Sequence, residues 1–385
     1  MDNVLIVDIT CRVWRTVAER SKFWLRAQLM VDRENFTEVV ESRKINLVPE
    51  IIFSPVMCLT TEQLTAIYKM VVQSRPVRLK QVNLSQNDHR SVPPDLVASA
   101  VTRLERVGMY QCQLSPGHLT SLYKLVGCRG PGTLRELIIS RNDHSAVPAD
   151  LLATALTRLE KVKMFRCNLS PGQLQAVFIK LAAAQGALHH LDLGGHNMTL
   201  VPAELLVEAI SRLESVMLSS RSLTMDQLIV LYQMVAERRS VALRELVVSR
   251  NVHCAVPSDI LATALIRLVK VDMFYCNLSA EQLQTLFSKI ATNAETSTLR
   301  YLDVSFSKAS LVPVEVLTGA LVTLEAVMLQ GCCLTLDQLE ALYSMVAERR
   351  SGRLVELRVV NNNTGSVSQS LRDEAELNTE VRIQI

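Results

Sequence analysis

The feature that most narrows what this chain can become is self-similarity. The stretch LRELIISRNDHSAVPADLLATALTRLEKVKMFRCNLSPGQLQ, from Leu134, and the stretch LRELVVSRNVHCAVPSDILATALIRLVKVDMFYCNLSAEQLQ, from Leu243, are near copies. The same frame opens at Leu79, Leu134, Leu188, Leu243, Leu299 and Leu354, at spacings of 55, 54, 55, 56 and 55 residues, and a proline keeps step at Pro93, Pro148, Pro202, Pro257 and Pro313. Each period divides again at Leu104, Leu159, Leu213, Leu268 and Leu324, so a unit of 25 residues alternates with one of 29 to 31. A unit this short cannot bury its own leucines, so stability must come from stacking like units, and both ends of the stack need caps.

Both units read LxxLxLxx(N/C)xL, with Leu134, Leu137, Ile139, Asn142 and His144 in a short unit and Leu159, Val162, Met164, Cys167 and Leu169 in a long one. Frame positions 1, 4 and 6 bracket a short strand, the Asn or Cys caps the turn that leaves it, and the remainder returns as a helix. Long-unit helices carry a capping box, Ser or Thr followed three residues later by Gln, at Thr60, Ser170, Thr224, Ser279 and Thr335; Ser115 departs from it, with His118 in place of Gln. In short units a proline marks helix entry, where its missing amide is no loss.

This pattern resembles the leucine-rich repeat, and the two alternating unit types resemble its ribonuclease-inhibitor-like class. The resemblance implies an α/β leucine-rich repeat solenoid: a curved horseshoe with parallel strands on the concave face and helices on the convex face. Twelve strands are expected, centred near Ile52, Val82, Val107, Leu137, Val162, Leu191, Val216, Leu246, Val271, Leu302, Val327 and Leu357. The solenoid is expected over residues 49–364, between an F-box-like helical N-terminal cap, 1–48, whose stretch from Met30 to Val48 reads as a strand–helix–strand lead-in to the first repeat, and a charged C-terminal cap, 365–385, that loses the frame.

The stretch TCRVWRTVAERSKFWLRAQL, Thr10 to Leu29, resembles the C-terminal half of an F-box, through Cys-Arg-x-Trp-Arg, the alanine four residues after the Trp, and an aromatic-Trp pair. Cys11, Trp14 and Val17 fall on one helical face, with Phe23 and Trp24 on the next turn. An F-box followed by leucine-rich repeats is the arrangement of substrate receptors in Skp–cullin–F-box ubiquitin ligases, so the resemblance implies that these five residues contact the Skp adaptor. The Leu-Pro helix that opens a complete F-box is missing, and the motif is read as truncated or degenerate. Two roles stay open for it: adaptor contact, or a cover for the first repeat's core.

Composition limits the function classes. The chain has 385 residues and 41 basic against 38 acidic side chains, a net charge of +3, too small for bulk attraction to nucleic acid or an anionic membrane. It shows no long charge-free apolar run, and its nine cysteines form no CxxC pair, which fits a reducing cytoplasm or nucleus. The sequence lacks GxxxxGK[ST], HExxH and GxSxG, so no catalytic residue, metal site or cofactor is expected. His89, His144 and His253 recur at one frame position, but stacked short units are about 10 Å apart there, too far to share a metal, so they are read as structural. Cys112, Cys167, Cys276 and Cys332 are read as buried donors replacing Asn.

Specificity is expected on the concave face, where Arg135, Glu136, Ile138, Ser140 and Arg141, or Glu160, Lys161, Lys163, Phe165 and Arg166, point away from the core and are free to vary. Seven of the 17 aromatic residues lie there: Phe53, Tyr110, Phe165, Phe274, Tyr275, Tyr301 and Phe306. With Arg141, Arg166 and Arg250 they form the expected partner site, since exposed aromatics and arginines make interface hot spots. The glutamates Glu105, Glu160, Glu214 and Glu325 alternate with Arg106, Lys161 and Lys270, a mixture that disfavours nucleic acid. The sequence is therefore read as a monomeric, non-catalytic protein-binding subunit, an F-box-like receptor that holds a ubiquitination substrate. The alternative is a plain repeat scaffold, an innate-immune-type sensor or an enzyme inhibitor.

Overall fold

The computed structural model describes residues 28–31, 50–53, 58–73, 79–128, 133–183, 186–220, 223–240, 242–348, 352–363, 365, 367–377 and 381–384. They belong to two compact units, Met1–Asp192 and Leu193–Ile385. Both are built from one strand–turn–helix element repeated, the α/β leucine-rich repeat solenoid.

In the first unit the strands β1 Gln28–Val31, β2 Glu50–Phe53, β3 Gln81–Asn83, β4 Arg106–Gly108, β5 Glu136–Ile138, β6 Lys161–Lys163 and β7 His190–Asp192 pair in sequence order, all parallel. In the second, β8 Ser215–Met217, β9 Glu245–Val247, β10 Lys270–Asp272, β11 Tyr301–Asp303, β12 Ala326–Met328, β13 Glu356–Arg358 and β14 Arg382–Gln384 do the same. Register aligns equal frame positions, as in Val107↔Leu137↔Val162 and Leu246↔Val271↔Leu302, so the leucines of position 4 stack into a buried column. Short units return through 8-residue helices such as Ala149–Leu156, and long units through 12- or 13-residue helices such as Pro171–Ala183.

Strands of the repeat stop after three residues because the backbone turns over at position 8. Its occupants, Gln86, Gln111, Arg141, Arg166, Gly195, Ser220, Arg250, Tyr275, Phe306, Gly331 and Asn361, all have φ between 52° and 87°. The long units add a second left-handed residue at position 10, seen at Gln113, Asn168, Asn277 and Cys333. That extra reversal explains why the two unit types alternate. The long unit's position-11 amide loses backbone partners and is satisfied by the next short unit's asparagine, as in Leu114 N to Asn142 Oδ1 at 3.2 Å. The short unit's amide instead reaches the carbonyl of the next long unit's cysteine, as in His144 N to Cys167 O at 2.9 Å. That cysteine needs only to donate, and Cys112, Cys167, Cys276 and Cys332 each send Sγ to the preceding unit's position-6 carbonyl at 3.2–3.4 Å.

The expected capping boxes form at Thr60, Ser170, Thr224, Ser279 and Thr335. Four of their glutamines are buried and also clamp the preceding unit: Gln173 Nε2 donates to the carbonyls of His144 and Val147, both at 2.7 Å, and Gln227, Gln282 and Gln338 repeat the pattern. His118 reproduces the box rather than departing from it, with Nδ1 2.6 Å from Ser115 Oγ and Nε2 2.7 Å from Val92 O. Pro148, Pro202, Pro257 and Pro313 sit at the N-cap, one residue ahead of the first helical turn where they were expected.

The twelve expected strand centres all fall in strands, and two further strands flank them among the described residues. Gln28–Val31 is a strand, beginning two residues before the stretch from Met30 to Val48 that reads as strand–helix–strand. Arg382–Gln384 lies in the charged end that was expected to lose the frame, and it pairs in parallel with Glu356–Arg358.

Candidate functional site: the strand face and its carboxyl edge

Side chains of the strand face fall into rows by frame position. At positions 2 and 3 the charges are spent on one another across neighbouring strands: Lys80 pairs with Glu105 (3.0 Å), Arg135 with Glu160 (3.4 Å), Arg300 with Glu325 (3.5 Å), and Glu136 with both Arg106 (3.5 Å) and Lys161 (3.1 Å). Such exposed pairs add little stability, but they leave no single-sign field along the row.

Position 7 corrects the expectation that all intervening residues are free to vary. Ser140, Ser249 and Ser305 are buried, and Ser140 Oγ accepts from Phe165 N at 3.0 Å while Ser305 Oγ accepts from Gln330 N at 3.2 Å. A small hydroxyl there bridges one short unit to the next long one, whose own position 7 is then open to Tyr110, Phe165 and Phe274.

Of the expected partner-site residues, only Phe53 and Tyr301 stand on a strand. The others lie just beyond it, Tyr110, Phe165 and Phe274 at position 7 and Arg141, Arg166, Arg250, Tyr275 and Phe306 at the left-handed position 8. The candidate site in each unit is thus the carboxyl edge of its strands. In the first unit Arg141 lies over the Tyr110 ring, 5.5 Å from its centroid, and Arg166 over Phe165 at 5.1 Å. In the second, Arg250 lies over Phe274 at 5.7 Å, and Phe274, Tyr275 and Phe306 form a cluster with centroids 5.1 to 6.2 Å apart. Tyr275 is 55% exposed and the other two rings are half-buried. Gly331 makes room for the cluster, since a Cβ on it would lie 2.8 Å from the Phe306 ring. Lys270 Nζ lies 5.1 Å from the centroid of Tyr301, whose hydroxyl is pushed up to about 12, first by burial and then by the charges of Asp303, Asp272 and Glu356. The side chain of Phe53 and the whole of Cys11, Trp14, Val17, Phe23 and Trp24 lie outside the described residues.

The recurring histidines are structural. His89, His144 and His253 are buried, each 2.8 Å from the hydroxyl of a helix tyrosine, Tyr68, Tyr123 and Tyr232, with Nδ1 at 2.8–2.9 Å from the carbonyl of the asparagine two residues before. The pairing was readable in the repeat: where position 11 is Met198 or Ala309, the helix aromatic is Phe178 or Phe287, with no hydroxyl to satisfy. Among the described residues no group of three or more His, Cys, Asp or Glu is placed to hold a metal. Burial pushes the Cys112, Cys167, Cys276 and Cys332 thiols up to about 12, so they are not nucleophiles at neutral pH. No helix among the described residues is long and apolar enough to cross a membrane.

No protein-family model matches the chain, and no curated protein matches it. Among solved structures the chain is similar to an internalin, InlF, from Listeria monocytogenes, at 16% identity and a TM-score of 0.46, over 91% of this chain and 93% of that one. It is similar to TLR13 in a TLR13–ssRNA13 complex, at 16% identity and a TM-score of 0.45, covering 93% of this chain but 50% of that one. It is also similar to the leucine-rich repeat-containing protein LegL7 from Legionella pneumophila, at 15% identity and a TM-score of 0.43, over 81% and 93% of the two chains. Likenesses this distant carry no residue roles across.

Proposed function

We propose that this chain is a non-catalytic, protein-binding scaffold of the ribonuclease-inhibitor-like class, working in the cytoplasm or nucleus as an F-box-like substrate receptor. The carboxyl edge of its strand layer holds the protein target, and Cys11, Trp14, Val17, Phe23 and Trp24 contact a Skp adaptor. Catalysis would come from the ligase the adaptor recruits, and this chain would contribute proximity by raising the target's effective concentration.

One observation carries the protein-binding part. Bulky residues occupy a backbone position that suits glycine. Arg141, Arg166, Arg250, Tyr275 and Phe306 all have φ near +60°, a region that costs an L-residue about 1–2 kcal/mol, while Gly195 and Gly331 fill the same position without that cost. Strain of this kind is kept where the side chain does something other than stabilise the fold. Tyr275→Gly is accordingly expected to leave stability within about 1 kcal/mol of wild type while weakening the partner; a drop in melting temperature with binding intact contradicts the assignment.

The direct test is Phe165→Ala with Phe274→Ala in the full chain. Capture of the cognate protein should weaken by several kcal/mol with the circular-dichroism melt little changed, as for interface anchors. Equal capture would move the site to the helix side. Trp14→Ala with Trp24→Ala should abolish co-purification of the Skp adaptor. A second reading gains support from the pairing of Gln28–Val31 with Glu50–Phe53. In it the F-box-like stretch covers the first repeat, and the solenoid is a scaffold, sensor or inhibitor without a ubiquitin role; a folded wild-type chain that binds no Skp adaptor selects this reading.

A further inference from the structure

The near copies at Leu134 and Leu243 act as an internal control, because their cores are almost the same and their strand faces are not. At position 5 Lys163 becomes Asp272, and at position 8 Arg166 becomes Tyr275, so these two places go from two positive charges to one negative charge. Phe165 and Phe274, and Arg141 and Arg250, are retained between them. At the other end of the strand Glu160 becomes Val269.

Register turns this exchange into an electrostatic difference. In the first unit Lys163 lies opposite Asp192, an opposite-charge pair. In the second unit Asp272 lies opposite Asp303, a like-charge pair, which destabilises a sheet unless something neutralises it. No ion pair among the described residues reaches either carboxylate. The cations on that face are engaged elsewhere: Lys270 over Tyr301, Arg250 over Phe274, and Arg358 with Glu356 at 3.5 Å. Both carboxylates are half-exposed. Burial pushes the Asp303 carboxyl above its ordinary value, aided by the Asp272 charge; hydrogen bonds from Ser305 and the charge of Arg358 oppose the shift.

The turn does not need the charge. Asp272 Oδ1 accepts from Phe274 N (3.0 Å) and Ser249 Oγ (2.5 Å), and Asp303 Oδ1 accepts from Ser305 N (2.8 Å). At the same frame position Asn83 does this work uncharged, Oδ1 accepting from Ser85 N (3.1 Å) and Ser85 Oγ (2.6 Å). Next to the two carboxylates along the chain stand the rings of Phe274, Tyr275 and Phe306, whose faces attract cations.

We infer that the strand-face platform of the second unit, formed by Asp272 and Asp303 and the adjoining Phe274–Tyr275–Phe306 cluster, binds an arginine or lysine side chain presented by the protein partner. The inference rests on the protein-binding reading above and adds the chemistry of the bound residue. An isolated cation on such a platform binds at millimolar strength, so the partner's other contacts supply the rest.

The test is saturation-transfer NMR on the full chain with an acetylated, amidated Gly-Arg-Gly tripeptide, and with the citrulline analogue as its uncharged control. Transfer to the arginine methylenes is expected. It should fall several-fold for citrulline, and be lost in Asp272→Asn with Asp303→Asn, a variant expected to melt no lower than wild type, because Asn83 already fills the role and the like-charge pair is removed. Equal transfer in wild type and that variant, no transfer to wild type at millimolar peptide, or tighter binding of an oligouridine each overturn the inference. Those results leave the scaffold reading to the Phe165→Ala with Phe274→Ala capture, which uses a different readout.

Discussion

Acidification from neutral pH to pH 4 is expected to strip about 6 kcal/mol of stability from the two Tyr–His contacts at His89 and His253. Burial lowers both imidazoles from 6.5 to about 4, partly opposed by the hydrogen bonds to Asn87 and Asn251. The folded chain therefore holds both rings neutral, whereas the unfolded chain protonates them below 6.5. Stability is complete above that pH, falls as pH drops through the window from 6.5 to about 4, and levels off once the folded rings also charge. Each group contributes about 3 kcal/mol over the window. Urea unfolding at pH 7, 5 and 4 measures it, and titrating carboxylates are removed by comparison with a variant. That variant, Tyr68→Phe with His89→Met and Tyr232→Phe with His253→Met, copies the Phe178 and Met198 combination the repeat already contains. Its midpoint should decline much less steeply with acid. A decline parallel to wild type would show that the pairs do not carry the acid lability.

Asn142→Ala is the single change expected to do most damage, about 3–5 kcal/mol. Asn142 Oδ1 accepts from Cys112 N (3.0 Å) and Leu114 N (3.2 Å), and Nδ2 donates to Met109 O and Ile139 O, both at 2.8 Å. Truncation strands several backbone groups in a dry interior, at about 1–3 kcal/mol for each left without a partner. Asn142→Cys should fall between wild type and alanine, because a thiol can donate to Met109 O, the carbonyl equivalent to the Ile139 O that Cys167 Sγ reaches at 3.4 Å, but accepts poorly from the amides. If Asn142→Cys matches wild type, the acceptor role assigned to Oδ1 is wrong. The loss should appear as fraying near this repeat, since neighbouring units supply most of each other's stability.

Most of the solenoid was legible because its rule is local and repeated. Leucine spacing placed twelve strand centres, and Ser or Thr with Gln three residues on placed the long helices, because each signal acts within one turn of chain. What escaped was chemistry between units. His118 looked like a break in the capping box until its ring was seen bridging Ser115 and Val92. Ser140 looked like a free surface position, and its burial goes with accepting an amide of the next repeat, Phe165 N. The extended segment Arg382–Gln384 lacks the leucine frame, so only its pairing to Glu356–Arg358 reveals it.

The site divides along the same line. That aromatics and arginines recur at the frame positions facing away from the core is a property of the sequence, as is the exchange of Lys163 for Asp272 between near copies, since both follow from counting within a period. That these residues occupy a left-handed turn rather than the strand, that Phe274, Tyr275 and Phe306 meet, and that Asp272 faces Asp303 were decided by the tertiary structure alone. The physical reason is range. Periodicity reports which side of an element meets the core, whereas register and backbone handedness arise from hydrogen bonds to residues some 25 to 30 positions away, which no single repeat contains.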